Sequence, residues 1–112
     1  METVLIPKRG EIYWVALNPT LGSEVRKTRP CVIMSATALN RARRTVVVVP
    51  ISSSTNVNPP ITVSVRCAGK QAVAVCDQIR AVDKARLRDK LGELTHSEMD
   101  NIGANLRSVL WL

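Results

Sequence analysis

The chain has 112 residues, 46% of them hydrophobic and 22% charged, which is the composition of one folded domain and not of a disordered tail. It holds no apolar run of membrane-spanning length, and Met1 to Lys8 lacks a basic stretch followed by an apolar one, so a single cytoplasmic domain over 1–112 is expected. A net charge of +7 suits a polyanion or an acidic protein partner, with a merely solvated basic surface as the plain alternative.

From Glu11 to Leu17 the residues alternate, with Ile12, Trp14 and Ala16 on one face, and predict a strand whose Trp14 belongs to the core. Asn18 to Thr28 carries Pro19, Gly22 and several charges and predicts a long loop; loops of that length in small domains are usually functional. Pro30 to Ser35 is the second strand, with proline tolerated at its start. A short helical turn fits Ala36 to Arg43. The continuous β-branched run Thr45 to Val49 predicts a central strand buried on both faces.

Ser52 to Pro60 is a loop rich in Ser, Asn and Pro. Ile61, Val63 and Val65 alternate with Thr62, Ser64 and Arg66, a strand with one wet face; Ala68 to Lys70 turns into another apolar strand, Gln71 to Cys76. Beyond Arg80 the period changes. Asp83 is placed to cap a short helix running through Leu91 and stopped by Gly92. Thr95 and Glu98 form a capping box ahead of Met99, Ile102, Leu106, Val109 and Leu110, which share one helical face. Gly103 in that helix suggests close packing, and the apolar end Val109 to Leu112 suits either a dimer contact or packing on the sheet.

Cys31, Cys67 and Cys76 form no metal-binding spacing, and Cys31 and Cys76 lie in apolar strands as reduced core thiols. His96 is remote from every other polar motif. No dinucleotide fingerprint, P-loop or carboxylate cluster is present, so neither cofactor nor metal is expected. Aromatic residues make up only 3%, which argues against the stacking platforms of RNA-recognition motifs and OB-folds.

Four segments carry a resemblance: Arg9-Gly10-Glu11-Ile12-Tyr13-Trp14 with Asn18-Pro19-Thr20 and Gly22-Ser23-Glu24, then Thr28-Arg29-Pro30, then Val46 to Ser52, then Cys76-Asp77-Gln78-Ile79-Arg80. In this order and spacing they resemble the MazF/PemK toxins, small bacterial endoribonucleases of toxin–antitoxin pairs. The resemblance implies a mainly β chain with α, a small SH3-like barrel of the MazF/CcdB type with a short helix and a C-terminal helix, usually homodimeric. It also implies a single-stranded RNA substrate cut without a metal ion, and an acidic antitoxin that covers the same surface.

By that resemblance Arg29 is the leading catalytic residue. A guanidinium fork matches phosphoryl oxygens, and it holds its proton too tightly to be a good acid, so charge stabilisation is its expected task. Ser52 is the second, standing where the family usually has Thr, and Ser53 or Ser54 beside it can supply the hydroxyl instead. Glu24, Arg26, Lys27 and Thr28 in the first loop, Ser53, Ser54, Asp77 and Gln78 are the expected RNA contacts. Asp77 is also placed to orient Arg29. The PemK-like branch has an Arg two residues before this Asp and a His in the first loop; here Val75 and Ser23 stand there, favouring the Arg/Thr type of site. Two alternatives stay open: a gyrase-binding toxin of the same superfold, echoed by Trp111, and an inactive RNA-binding module, echoed by the Thr-to-Ser difference.

Overall fold

In the computed structural model, residues 6–18, 22 and 27–112 are described. Seven strands and two helices follow in the order β1 Glu11–Ala16, β2 Thr28–Ile33, α1 Thr37–Ala42, β3 Thr45–Ser52, β4 Thr62–Cys67, β5 Lys70–Val75, β6 Arg80–Asp83, β7 Leu87–Glu93 and α2 His96–Leu110. Every pairing between them is antiparallel, in the order β4-β5-β3-β2-β1-β7, with β6 also paired to β3. β3 is the hinge of this curled sheet. One of its edges pairs with β2, while the other pairs with β6 over Thr45–Val48 and with β5 at Ile51 and Ser52.

The β-branched run in β3 explains that role. Val46 and Val48 face one apolar cluster with Tyr13, Val15, Leu17, Cys31, Ile33, Val82 and Leu87. Val49 and Ile51 face a second, with Ile12, Val32, Val63, Val65 and the α2 residues Met99, Ile102 and Leu106. A strand buried on both faces has little room for polar side chains, and the sequence supplies none between Val46 and Ile51. Beside the core, burial tends to push the Glu11 carboxyl up. The Lys90 ammonium at 2.6 Å, the Lys8 amide at 2.7 Å and the Tyr13 hydroxyl at 3.2 Å outweigh that and hold it below its ordinary value.

α2 starts as its sequence predicts. The Thr95 side chain accepts from the Glu98 amide at 3.1 Å, and Glu98 Oε1 accepts from the Thr95 amide at 2.9 Å. Glu98 Oε2 also accepts from the Arg66 amide at 2.7 Å, which fastens the β4–β5 hairpin to the helix start. No described helix is long and apolar enough to cross a membrane.

Several expectations are corrected. The segment after Asp83 is not a helix: the Asp83 side chain does cap, accepting from the Ala85 amide at 2.8 Å, but it caps only a 3-10 turn, Lys84–Arg86, before β7 begins. Gly103 is not a site of close packing, since a Cβ built there meets no atom within 4 Å. Ile61 lies outside β4 and is exposed. Of the apolar C-terminal end, Val109 packs against the core, while Leu110, Trp111 and Leu112 do not pack on the sheet and are exposed. Trp14 is the most consequential correction. It shares the inner face of Ile12, as alternation requires, yet is 37% exposed because the covering helix lies over the other end of that face.

Candidate active site

β1 and β2 are joined at the root of the long loop by a compact set of bonds. The Leu17 amide donates to the Lys27 carbonyl at 2.9 Å, and the Lys27 amide donates to Asn18 Oδ1 at 3.2 Å. Lys27 takes the left-handed backbone conformation, φ 66°, that this reversal requires. Two arginines from β6 and from the turn before β7 reach the same place. Arg86 Nη1 donates to the Ala16 carbonyl at 3.0 Å and to the Asn18 carbonyl, and Arg80 Nη1 approaches the Leu17 carbonyl at 3.5 Å. Three consecutive carbonyls at the end of β1 thus face guanidinium groups. Glu24 and Arg26 lie outside the described residues.

Thr28 and Arg29 follow as the first residues of β2, both exposed, with Arg29 opposite Val15 and Pro30 opposite Trp14. Together they border a cavity of about 470 Å³ whose inner surface is Trp14, Pro30, Ile51 and Ala72, and whose polar side includes Ser53, Lys70 and Gln71. The cavity is the uncovered end of the sheet's inner face, so strand register alone brings Trp14, Pro30 and Ile51 side by side.

The three serines separate. Ser53 borders the Arg29 cavity. Ser52, at the end of β3, accepts a bond from the Ser54 amide at 3.2 Å, and Ser54 Oγ accepts from the Asn56 amide at 3.1 Å. Both hydroxyls therefore shape the loop while each keeps its own proton to donate. Asp77 and Gln78 sit in the 3-10 turn Cys76–Gln78, which packs against α2, β3 and β4 and does not border the cavity.

Arg41, Arg43 and Arg44, with Lys84, surround a separate surface hollow of about 430 Å³ at the Thr45 end of β3, roughly 23 Å along the strand from Ser52 at ~3.3 Å per residue. A third hollow, of about 600 Å³, lies between the β4–β5 turn and the start of α2 and contains none of the candidate residues. The Arg29 cavity is the one where a cation, hydroxyls and an exposed aromatic ring converge, and that convergence decides in its favour over size.

Nucleophilic alternatives are weak. All three cysteines are buried and reduced. Burial pushes the Cys31 thiol up to about 12 despite the opposing Arg80 charge, pushes Cys76 up to about 11 with help from Asp77, and raises Cys67. None is poised as a thiolate. His96 is exposed at the start of α2, 3.4 Å from Asp100. Among the described residues no group of three or more His, Cys, Asp and Glu is arranged to hold a metal ion.

Residues 8–110 match the family model described as PemK-like, MazF-like toxin of type II toxin–antitoxin system. The chain belongs to this PemK/MazF toxin family. The endoribonuclease PemK of Escherichia coli is 37% identical over 92% of this chain and 81% of its own length. The endoribonuclease EndoA of Bacillus subtilis is 30% identical over 96% of this chain and 97% of its own. Among solved structures, a mycobacterial endoribonuclease in complex with its cognate antitoxin has a TM-score of 0.79 at 29% identity, covering 95% of this chain and 96% of that one. MazF of Deinococcus radiodurans, at 23% identity, shares the fold with a TM-score of 0.86 over 97% of this chain and 100% of its own. The curled sheet and C-terminal helix described above are therefore the PemK/MazF toxin fold.

Besides Lys70 and Gln71 at the cavity and Arg80 at the loop root, two residues of this toxin's candidate site escape sequence reasoning for identifiable reasons. Trp14 was assigned to the core because alternation gives its face but not where the cover ends. Arg86 lies inside the segment expected as a helix after Asp83; the 3-10 turn found there aims it at the loop root.

Proposed function

We propose that this chain is the toxin of a type II toxin–antitoxin pair and acts as a metal-independent endoribonuclease that cuts single-stranded RNA at selected sequences. The observation that carries this reading is the meeting of Arg29, Thr28 and Ser53 at one cavity, in a family whose relatives are named endoribonucleases. The ribose 2′-oxygen attacks the phosphorus, the bond to the 5′-oxygen breaks, and the products carry a 2′,3′-cyclic phosphate and a 5′-hydroxyl. The 2′-hydroxyl gives its proton to solvent water as it attacks, and the departing 5′-oxygen takes one from solvent. The Arg29 guanidinium stabilises the charge that grows on the phosphoryl oxygens, and a serine hydroxyl, from Ser52 or Ser53, supplies a further donor. Lys27, Thr28 and Ser54 contact the RNA around the cavity, while Asp77 and Gln78 act from the neighbouring turn. Glu24 and Arg26 contribute from the loop.

An acidic antitoxin segment competes for the same basic surface. A homodimer is part of the proposal, and exposed Leu110, Trp111 and Leu112 offer apolar area for it.

The test is cleavage of a long defined RNA by the purified protein in EDTA, with analysis of the fragment ends. Discrete cuts with cyclic-phosphate ends are expected, slowed about 10²- to 10³-fold in Arg29→Ala. Ser52→Ala and Ser53→Ala, run in parallel, assign the hydroxyl by the larger loss. Intact RNA at high protein concentration, or an Arg29→Ala variant as fast as the parent, would refute the reading.

A further inference from the structure

A cluster of cations stands at the end of β3 remote from Ser52. Arg41, Arg43, Arg44 and Lys84 border the hollow of about 430 Å³ there, and Ala42 and Asp83 complete its lining. The fold fixes this grouping: Thr45 pairs with Asp83 at the end of the β3–β6 ladder, and the Lys84 amide donates to the Arg44 carbonyl at 2.8 Å. The three arginines are exposed and Lys84 is half-buried, and none of the four makes an ion pair among the described residues. The acid among them, Asp83, commits Oδ1 to the Ala85 amide that it caps. Like charges gathered at one hollow repel one another, so folding alone does not explain the cluster. Arg41 suits the last turn of α1, where a cation complements the carbonyl end of the helix, but that leaves Arg43, Arg44 and Lys84 unexplained. The hollow also adjoins the proposed cut site. The 3-10 turn Lys84–Arg86 begins at the hollow and ends with Arg86, whose guanidinium reaches the Ala16 carbonyl at the root of the long loop. Ala42 is the one uncharged residue lining the hollow, so it offers no apolar anchor of the kind a protein partner buries at the centre of an interface. Phosphate groups need no such anchor, and guanidinium forks match their oxygens.

We propose that Arg41, Arg43, Arg44 and Lys84 form a second RNA-binding site, which holds the sugar–phosphate backbone of the substrate strand at a distance from the cut. This rests on the RNA-cleavage reading and adds to it a site that sets how firmly a long strand is held. Backbone contacts carry no sequence information, so the site raises affinity without altering the cut motif. The separation of roughly 23 Å along β3, at ~3.3 Å per residue, keeps it out of reach of a short oligomer centred on the cut. Long RNA is therefore preferred over a short one carrying the same cut sequence.

The experiment compares a pentanucleotide with a strand of about 30 nucleotides, both carrying the cut sequence mapped on long RNA. Each is given to the parent protein and to Arg41→Gln/Arg43→Gln/Arg44→Gln. A control, Lys8→Gln/Arg66→Gln/Arg107→Gln, removes the same charge from exposed residues elsewhere. In the hollow variant, KM for the long strand should rise about 10- to 100-fold, with kcat and the cut positions kept. The pentanucleotide, and the control with either RNA, should shift far less. On an uncleavable 2′-O-methyl copy of the long strand, the slope of log affinity against log salt should fall by about 2, at ~0.7 per lost phosphate contact. Arg41→Lys/Arg43→Lys/Arg44→Lys, which keeps the charges, should restore most of that slope. If the triple Gln variant does not fold, Arg43→Gln and Arg44→Gln alone decide, each expected to remove about 0.7 from the slope. Equal losses on the two lengths, or the same loss in the control, overturn the second site and leave the nuclease standing. Poly-L-glutamate that loses more affinity than RNA in the hollow variant assigns the surface to an acidic protein and overturns it likewise. Binding that favours the long strand through these arginines, in a protein that cuts nothing, keeps the second site and removes the nuclease.

Discussion

Arg86→Met removes the guanidinium that binds the root of the long loop while keeping a long apolar stem. Arg86 donates to the Ala16 and Asn18 carbonyls, and Asn18 in turn holds the Lys27 amide, two residues before Arg29. Hydrogen bonds involving a charged group contribute about 1.5–3 kcal/mol when buried. Arg86 is only half-buried, so solvent screening reduces the pair to about 1–2 kcal/mol in total. For a domain of this size that lowers Tm by roughly 4–8 °C, which leaves the protein folded at ambient temperature. The Leu17 and Lys27 amides should exchange with solvent faster, because their mutual bonds depend on the same root. Cleavage should fall by about 10- to 100-fold, mainly in kcat, since misplacing a catalytic group by an ångström is costly. Arg86→Lys keeps the charge, and because both bonds come from the single Nη1 an ammonium with three donors can replace them where its stem reaches, so it should recover more of the Tm and rate than the methionine variant. An Arg86→Met protein with unchanged Tm and unchanged exchange at Leu17 and Lys27 would refute the clamp. A slower rate with unchanged exchange would mean instead that Arg86 acts on RNA directly.

Other expectations come from elements farther from the cavity. Gly103→Ala should raise the free energy of unfolding by about 1 kcal/mol in urea titration, because the helix gains propensity and the new methyl meets nothing within 4 Å; destabilisation would show that this face is covered in solution. Tyr13, raised to about 12, and Cys31 and Cys76, raised to about 12 and about 11, all keep their protons longer when folded than the ordinary values of 10.0 and 9.0 allow. Between those ordinary values and the raised ones the unfolded chain binds fewer protons, so stability is intact below pH 9 and falls as pH rises through that window, by up to about 1.4 kcal/mol per group per pH unit. Denaturant midpoints that stay flat from pH 8 to 11 would contradict this.

Much of the sheet was legible because its strands carry their own signals. The β-branched run of β3 announced a strand buried on both faces, and Thr95 with Glu98 announced the start of α2 to the residue. β7 was not legible. Its apolar residues Leu87 and Leu91 are four apart, a helical spacing, and Arg88, Asp89 and Lys90 between them are exposed. What makes it a strand is pairing with β1, more than seventy residues earlier, with register shifts that local periodicity cannot encode. Arg29 stood out because a proline fixes it at the start of a strand. The cavity around it did not, since Ser53, Lys70 and Trp14 come from three separate segments and meet only through the curl of the sheet. Asp77 and Gln78 stood out as a pair in the sequence, but the turn that holds them faces α2 and not that cavity.

The pairing of β1 with β7 also bears on how the protein is made. Arg29 and the three serines leave the ribosome in the first half of the chain, but β7 and Arg86, which bind β1 and the loop root, come in its last quarter. The two halves of the site cannot be joined until residues beyond 87 have emerged. At about 5–20 residues per second, Arg29, the proposed catalytic residue, waits for several seconds on an unfinished scaffold. A nascent chain stalled or truncated in that interval has the reactive groups but not the frame that aligns them, so the potential to damage RNA arrives only with the completed molecule.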